Sequence, residues 1–172
     1  MRLVSFFDDD VVRLGFESAK GIFAPLAGSS RLGPDDATLF SDMVTFIRAG
    51  DEARQVADRL IIEAPASAWR SPEAVTLAAP FLPSTILCAG SNYRDHNEEK
   101  AGSPTSGKEP EFFLKTADCV VGPDGAIIHE PALTTKLDCE TELAIVIGKA
   151  GRSIPHAQAL DLLVPLDALV EG

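Results

Sequence analysis

Four prolines, Pro65, Pro72, Pro80 and Pro83, crowd one short stretch, and no long regular element can run through it. Proline lacks the amide hydrogen that helices and sheet ladders need, and its ring obstructs the preceding helical turn. The stretch predicts a junction over 65–83, between a small αβ domain at 1–75 and a second domain that starts near Ser84 and occupies 84–172. A chain of 172 residues has room for one ordinary core, or for a small domain plus part of a larger one.

Ahead of the prolines, Arg2–Phe7 is β-rich, the Asp8-Asp9-Asp10 cluster predicts a turn, and Val11–Phe16 and Gly21–Leu26 follow as strands of a small meander. Asp35 or Asp36 is placed to cap a helix on which Leu39, Met43, Phe46 and Ile47 share a face. A second helix is expected from Asp51 to Ile61. Beyond the junction, Thr85–Gly90 predicts a buried strand, and Asn92 caps a helix carrying Tyr93 to Lys100. Gly102–Pro110 is a loop, while Glu111–Leu114 and Val120-Val121 look extended. Pro123-Asp124-Gly125 turns into Ala126–Ile128, and the longest expected strand is Leu137–Ile147.

Composition excludes several classes of function. A net charge of −11 repels phosphate backbones and anionic lipid, which argues against nucleic-acid or membrane-surface binding. No apolar run approaches the roughly 20 residues that cross a bilayer. The first ten residues reach their acidic cluster before a signal-peptide core could form, so a cytoplasmic location is expected. Cys88, Cys119 and Cys139, odd in number and widely spaced, predict reduced core thiols rather than disulfides or a zinc cage. Gly148 and Gly151 make no phosphate-binding loop, and His129 and His156 are given no role.

The chemistry concentrates in two places. Along Leu137–Ile147 the two-residue period puts Asp138, Glu140 and Glu142 on one face. Cys139, Thr141, Leu143, Ile145 and Ile147 fall on the other, the expected core face. Like charges about 7 Å apart are unfavourable without a counter-charge, which a hard divalent cation would supply. A solvated edge strand offers the competing reading, since acidic residues cost little there. On the helix after Asn92, His96 and Glu99 are three residues apart and share a face. A carboxylate beside an imidazole orients it and raises its basicity, as a general base for water requires. An ordinary surface pair is the alternative.

Three ordered motifs carry a resemblance: Cys88-Ala89-Gly90-Ser91-Asn92-Tyr93-Arg94-Asp95-His96-Asn97-Glu98-Glu99, then Glu111-Phe112-Phe113-Leu114-Lys115, then Lys136-Leu137-Asp138-Cys139-Glu140-Thr141-Glu142 running on to Lys149. Over about 84–164 the sequence resembles the fumarylacetoacetate hydrolase family, and the first 75 residues look like a small leading domain found in bacterial members. The resemblance implies an α+β, mainly β fold whose β-rich catalytic domain is incomplete in this chain. It also implies cleavage of a carbon–carbon bond in a small 1,3-dicarbonyl acid, with decarboxylation, hydration or isomerisation of similar keto acids in related members.

By the same likeness Glu140 and Glu142 match the family's E-x-E metal ligands, for Mg²⁺ or Mn²⁺ and, less typically, Ca²⁺. His96 and Glu99 match its water-activating dyad, and Asp138 supports the ligands. Lys115 is placed either facing substrate or as a structural ion-pair partner. A small keto acid is the implied partner molecule and a homodimer the implied assembly. After Ala159-Leu160-Asp161 the family pattern continues through a Gly-Tyr strand to an aspartate ligand. Glu171 stands at that place, but Val164–Val170 lacks the Gly-Tyr. The expectation is therefore a C-terminally truncated member, of impaired activity, or else a fragment acting only as an assembly module.

Overall fold

The computed structural model describes residues 2–28, 32–90, 92–99 and 110–164. The chain divides into two compact units, one of Met1–Phe81 with Gly122–Gly172 and the other of Leu82–Val121.

The first unit is built on a meander. Strand β1 (Arg2–Asp8) pairs antiparallel with β2 (Val11–Ser18), and β2 with β3 (Gly21–Phe23). The acidic cluster makes the first turn, with Asp9 at a φ of 53°. Gly21, at a φ of 114°, closes the second, and a Cβ there would collide with the carbonyl of Arg70. Two short strands flank the meander: β4 (Trp69–Arg70) pairs with β3 and β5 (Thr76–Leu77) with β1. The order across the sheet is β4-β3-β2-β1-β5. Residues from the proline-rich stretch thus form the sheet's two edges, where strands this short can sit between prolines. Ser5 fastens the following segment, its hydroxyl donating to Pro80 O at 2.5 Å and its carbonyl accepting from Ala78 N at 2.8 Å.

Both sheet faces are covered. On one, Leu3, Leu14, Phe16 and Phe23 meet Phe40, Met43, Phe46, Ala53, Ala57 and Leu60. The Phe16 ring stands edge-on to Phe46 at 5.4 Å and to Phe40 at 6.1 Å. Each such buried side chain contributes roughly 1.5–3 kcal/mol by leaving water. On the other face Val4, Phe6, Ile22 and Ala24 pack with Val75 and Leu77. Gly15 leaves space for this cluster, since a Cβ there would press on Ile22, Phe6 and Val4 at 3.0–3.1 Å.

The third predicted strand stops at Phe23, and a short helix α1 (Pro25–Gly28) takes its place. The single helix expected after Gly33 is two, α2 (Pro34–Leu39) and α3 (Met43–Ala49), with neither Asp35 nor Asp36 as cap. Gly33 precedes α2, and Pro34 begins it with φ already set for a helix. Asp42 breaks the run because its carboxylate accepts the Thr45 amide at 2.8 Å and the Thr45 hydroxyl at 2.7 Å, starting a new helix. Helix α4 (Asp51–Glu63) runs two residues beyond the expected end.

In the second unit, β6 (Ile86–Gly90) pairs antiparallel with β7 (Glu111–Lys115). This two-stranded ribbon is not the buried strand expected at 85–90: Leu87, Phe112, Phe113 and Leu114 are exposed. Helix α5 (Arg94–Glu99) follows β6. The expected loop at 102–110 lies, save Pro110, outside the described residues.

The largest departure concerns Leu137–Ile147. No ladder forms over 137–146, and Ile147 makes one isolated antiparallel bridge to Leu163. Val120-Val121 and Ala126–Ile128 also lie outside any strand, although the turn at Pro123-Asp124 is present, with Gly125 N donating to Gly122 O at 3.0 Å. An extended sequence becomes a strand only where a neighbouring backbone accepts and donates. No described strand fills that role for 137–145, and at 146 the carbonyl of Val146 accepts the single amide of Val164.

Candidate functional site

The pair expected to move protons, His96 and Glu99, sits on α5, which follows β6 in the chain. His96 and Glu99 are three residues apart on this helix, as expected, and Asn97 N donates to Tyr93 O at 3.1 Å. The side chains of His96 and Glu99 lie outside the described set. Lys115 ends β7 opposite Ile86, and its Nζ stands 5.8 Å from the centre of the Phe113 ring on the same strand face. Its described contact is thus a cation–π approach.

The carboxylates belong to the first unit. Glu140 and Glu142 are both exposed, on the extended segment that lacks a ladder. Asp138 accepts the amide of Cys139 at 2.9 Å, a bond that orients its carboxylate along its own backbone. The face expected to be core is open as well: Leu143 is 70% exposed, Ile145 54% and Ile147 64%. Upstream, Glu130 O accepts the amides of Leu133 and Thr134, and the His129 ring bonds to Thr134 O at 2.8 Å, which folds 129–134 into a turn. All three cysteines are free, but Cys119 and Cys139 are exposed and Cys88 is half-buried, so they are not core thiols.

Carboxylate oxygens suit a hard divalent cation. Among the described residues, however, no three His, Cys, Asp or Glu side chains gather around a point where an ion could sit. Glu171, the third expected ligand, lies outside them. Glu140 and Glu142 are thus exposed carboxylates, and oxygen donors of this kind are what would hold such an ion.

Two features escaped the sequence reading. Asp8 binds Arg70 Nη1 at 2.8 Å and lies 3.5 Å from Arg13 Nε. The Arg70 hydrogen bond is the main cause holding the Asp8 carboxyl below its ordinary range, with burial opposing it and the two guanidinium charges assisting. The other is the packing of Val146 and Val164 into the core cluster of the first unit. A run of apolar residues at 143–147 gave no sign of which partner it would find.

Residues 85–164 match the Fumarylacetoacetate (FAA) hydrolase C-terminal family. This segment belongs to the fumarylacetoacetate hydrolase family. The match contains His96, Glu99, Lys115, Glu140 and Glu142. Across 93% of its length the chain is 36% identical to the oxaloacetate tautomerase FAHD2B, mitochondrial, of Homo sapiens, of which it covers 49%. The fumarylacetoacetate hydrolase of Exiguobacterium antarcticum superposes with a TM-score of 0.67 at 28% identity, over 94% of this chain and 52% of that one. A maleylpyruvate hydrolase from Sphingobium sp. SYK-6, solved with manganese (II) ion and pyruvate, gives 0.65 at 25% identity, over 95% and 55%. The fold is thus the α+β fold of fumarylacetoacetate hydrolases, and the chain spans about half the length of the relatives it matches. No described helix is long and apolar enough to cross a membrane.

Proposed function

We propose that this chain carries the proton-transfer helix and two carboxylate ligands of a divalent-metal enzyme that acts on a small enolisable keto acid. The carrying observation is the family match over 85–164, which holds the His96–Glu99 pair and the Glu140-x-Glu142 pair in one ordered segment. Glu140 and Glu142, with Glu171 as a third candidate, would hold Mg²⁺ or Mn²⁺. When bound, such an ion supplies positive charge against a developing enolate.

The first reading is hydrolysis of a 1,3-dicarbonyl acid. His96, oriented by Glu99, takes a proton from water; hydroxide adds to one carbonyl; the carbon–carbon bond breaks with its electron pair passing into the neighbouring enolate; the proton returns to that carbon. The neighbour named maleylpyruvate hydrolase supports it. Tautomerisation is the second reading, favoured by the oxaloacetate tautomerase relatives. It needs only a proton moved between carbon and oxygen, so the same base serves without water attack. A keto-acid substrate and the 84–172 catalytic segment are parts of this proposal.

The full chain, assayed with Mn²⁺ for acylpyruvate cleavage and for loss of oxaloacetate enol absorbance, separates the two readings. His96→Ala is expected to lower the operative rate by about 10²–10⁴-fold, and Glu140→Gln to weaken Mn²⁺ binding. Turnover indifferent to chelator and to His96→Ala would sink both.

A further inference from the structure

Val164 is only 7% exposed and belongs to the same cluster as Leu3, Leu14, Phe16 and Leu60, and Val146 packs against that cluster. The two valines are tied to each other: Val164 N donates to Val146 O at 2.9 Å. Gly148 N and Lys149 N both donate to Leu162 O, at 2.8 and 3.0 Å, and Ile147 bridges Leu163. Gly148 allows this approach, since a Cβ there would meet Val164 Cγ2 at 3.1 Å and Val164 N at 3.3 Å. The chain therefore forms a clasp whose apolar foot stands in the core of the leading domain.

We infer that the leading domain anchors the glutamate-bearing segment through this clasp, with Val146 and Val164 as positioning residues for Glu142. Residue 146 lies four positions beyond Glu142, so at about 3.3 Å per residue the carboxylate is tethered within roughly 13 Å of a fixed point. The upstream stretch has no ladder to fix it, which leaves the clasp to limit the directions Glu142 can take. A domain without any assigned chemistry thereby acquires a part in the site. That part rests on the metal reading proposed above, whereas the anchoring stands on packing alone.

Hydrogen exchange and Mn²⁺ titration of the full chain test the two separately. In the wild type the amides of Gly148, Lys149 and Val164 are expected to exchange at least about tenfold slower than in a free peptide, as amides closed by native structure do. Gly148→Val should wedge the clasp open and abolish that protection, while the β2 amides keep theirs. Val164→Ala, which also removes core volume, should weaken both sets. Mn²⁺ affinity, read from the electron paramagnetic resonance of free Mn²⁺, should fall at least about tenfold in Gly148→Val, in the range seen when support behind a ligand is lost. Free-peptide exchange at the three wild-type amides, or protection unchanged by Gly148→Val, overturns the anchor. A Mn²⁺ affinity unmoved by an opened clasp overturns the positioning role. A wild type that binds no Mn²⁺ overturns the metal reading and the positioning role with it, while the anchor is decided by exchange.

Discussion

Strand β1 and the segment Leu137–Ile147 have similar sequence credentials and opposite fates. Both are runs rich in apolar residues with the pattern of a strand, and both have acidic neighbours. In β1, Leu3, Val4 and Phe6 are buried, each on a face that another layer covers. In the later segment Leu143, Ile145 and Ile147 are all more than half exposed. The difference is in the neighbours: β1 has β2 along its full length, reached through a two-residue turn, whereas 137–146 has no described strand beside it. Local pattern states which side chains share a face, and pairing must come from elsewhere in the polypeptide.

The strongest way to break this comparison is a pair of truncations. Phe16→Ala removes a ring from the aromatic cluster and should cost about 3–5 kcal/mol, read from urea unfolding of the full chain. Leu143→Ala should stay within about 0.5 kcal/mol, as exposed positions do. Similar losses from both would mean that the segment is packed after all. A second pair addresses hydrogen bonds. Asp42→Ala removes the cap of a helix docked on the core and should cost about 0.5–2 kcal/mol. Asp138→Ala removes a bond to the adjacent amide in open chain, and a loss comparable to that of Asp42→Ala would again place the segment in a packed setting.

Legibility followed the same division. The β1 and β2 strands, their acidic turn and α4 could be read because their determinants are local: alternation, a two-residue turn, a helical period. The split between α2 and α3 was missed because Leu39, Met43 and Phe46 keep helical spacing across it, while the decision rests with the Asp42 side chain. β4 and β5 were hidden by the prolines around them. For the site, the residue types and order of His96, Glu99, Glu140 and Glu142 were legible, and the family match covers them. How the two pairs would come together was not, since that depends on contacts distant in sequence. Val164 shows the same limit: nothing around it indicates that it joins the cluster that holds Leu3 and Phe16, far back in the chain.

The smallest expected effect concerns acid stability within the folded region. Asp8 and Asp42 have carboxyls held below the ordinary range, Asp8 chiefly by the Arg70 hydrogen bond and Asp42 chiefly by the Thr45 amide. An aspartate depressed in the folded state holds fewer protons there than in the unfolded chain. Its contribution is therefore complete above the unfolded value, about pH 4, and is lost as pH falls through the lower folded value. Unfolding midpoints measured downward from pH 5 should decline with a slope that Asp8→Asn reduces. The Arg70 and Arg13 side chains are 38% and 33% exposed, so water screens the pair and its share should be about 0.2–1 kcal/mol. Because the guanidinium of Arg70 also lies 5.3 Å from the Phe6 ring, Arg70→Ala should cost more than Asp8→Asn at neutral pH. Equal losses at neutral pH would assign the whole effect to the ion pair and none to the packing of Arg70 over the sheet.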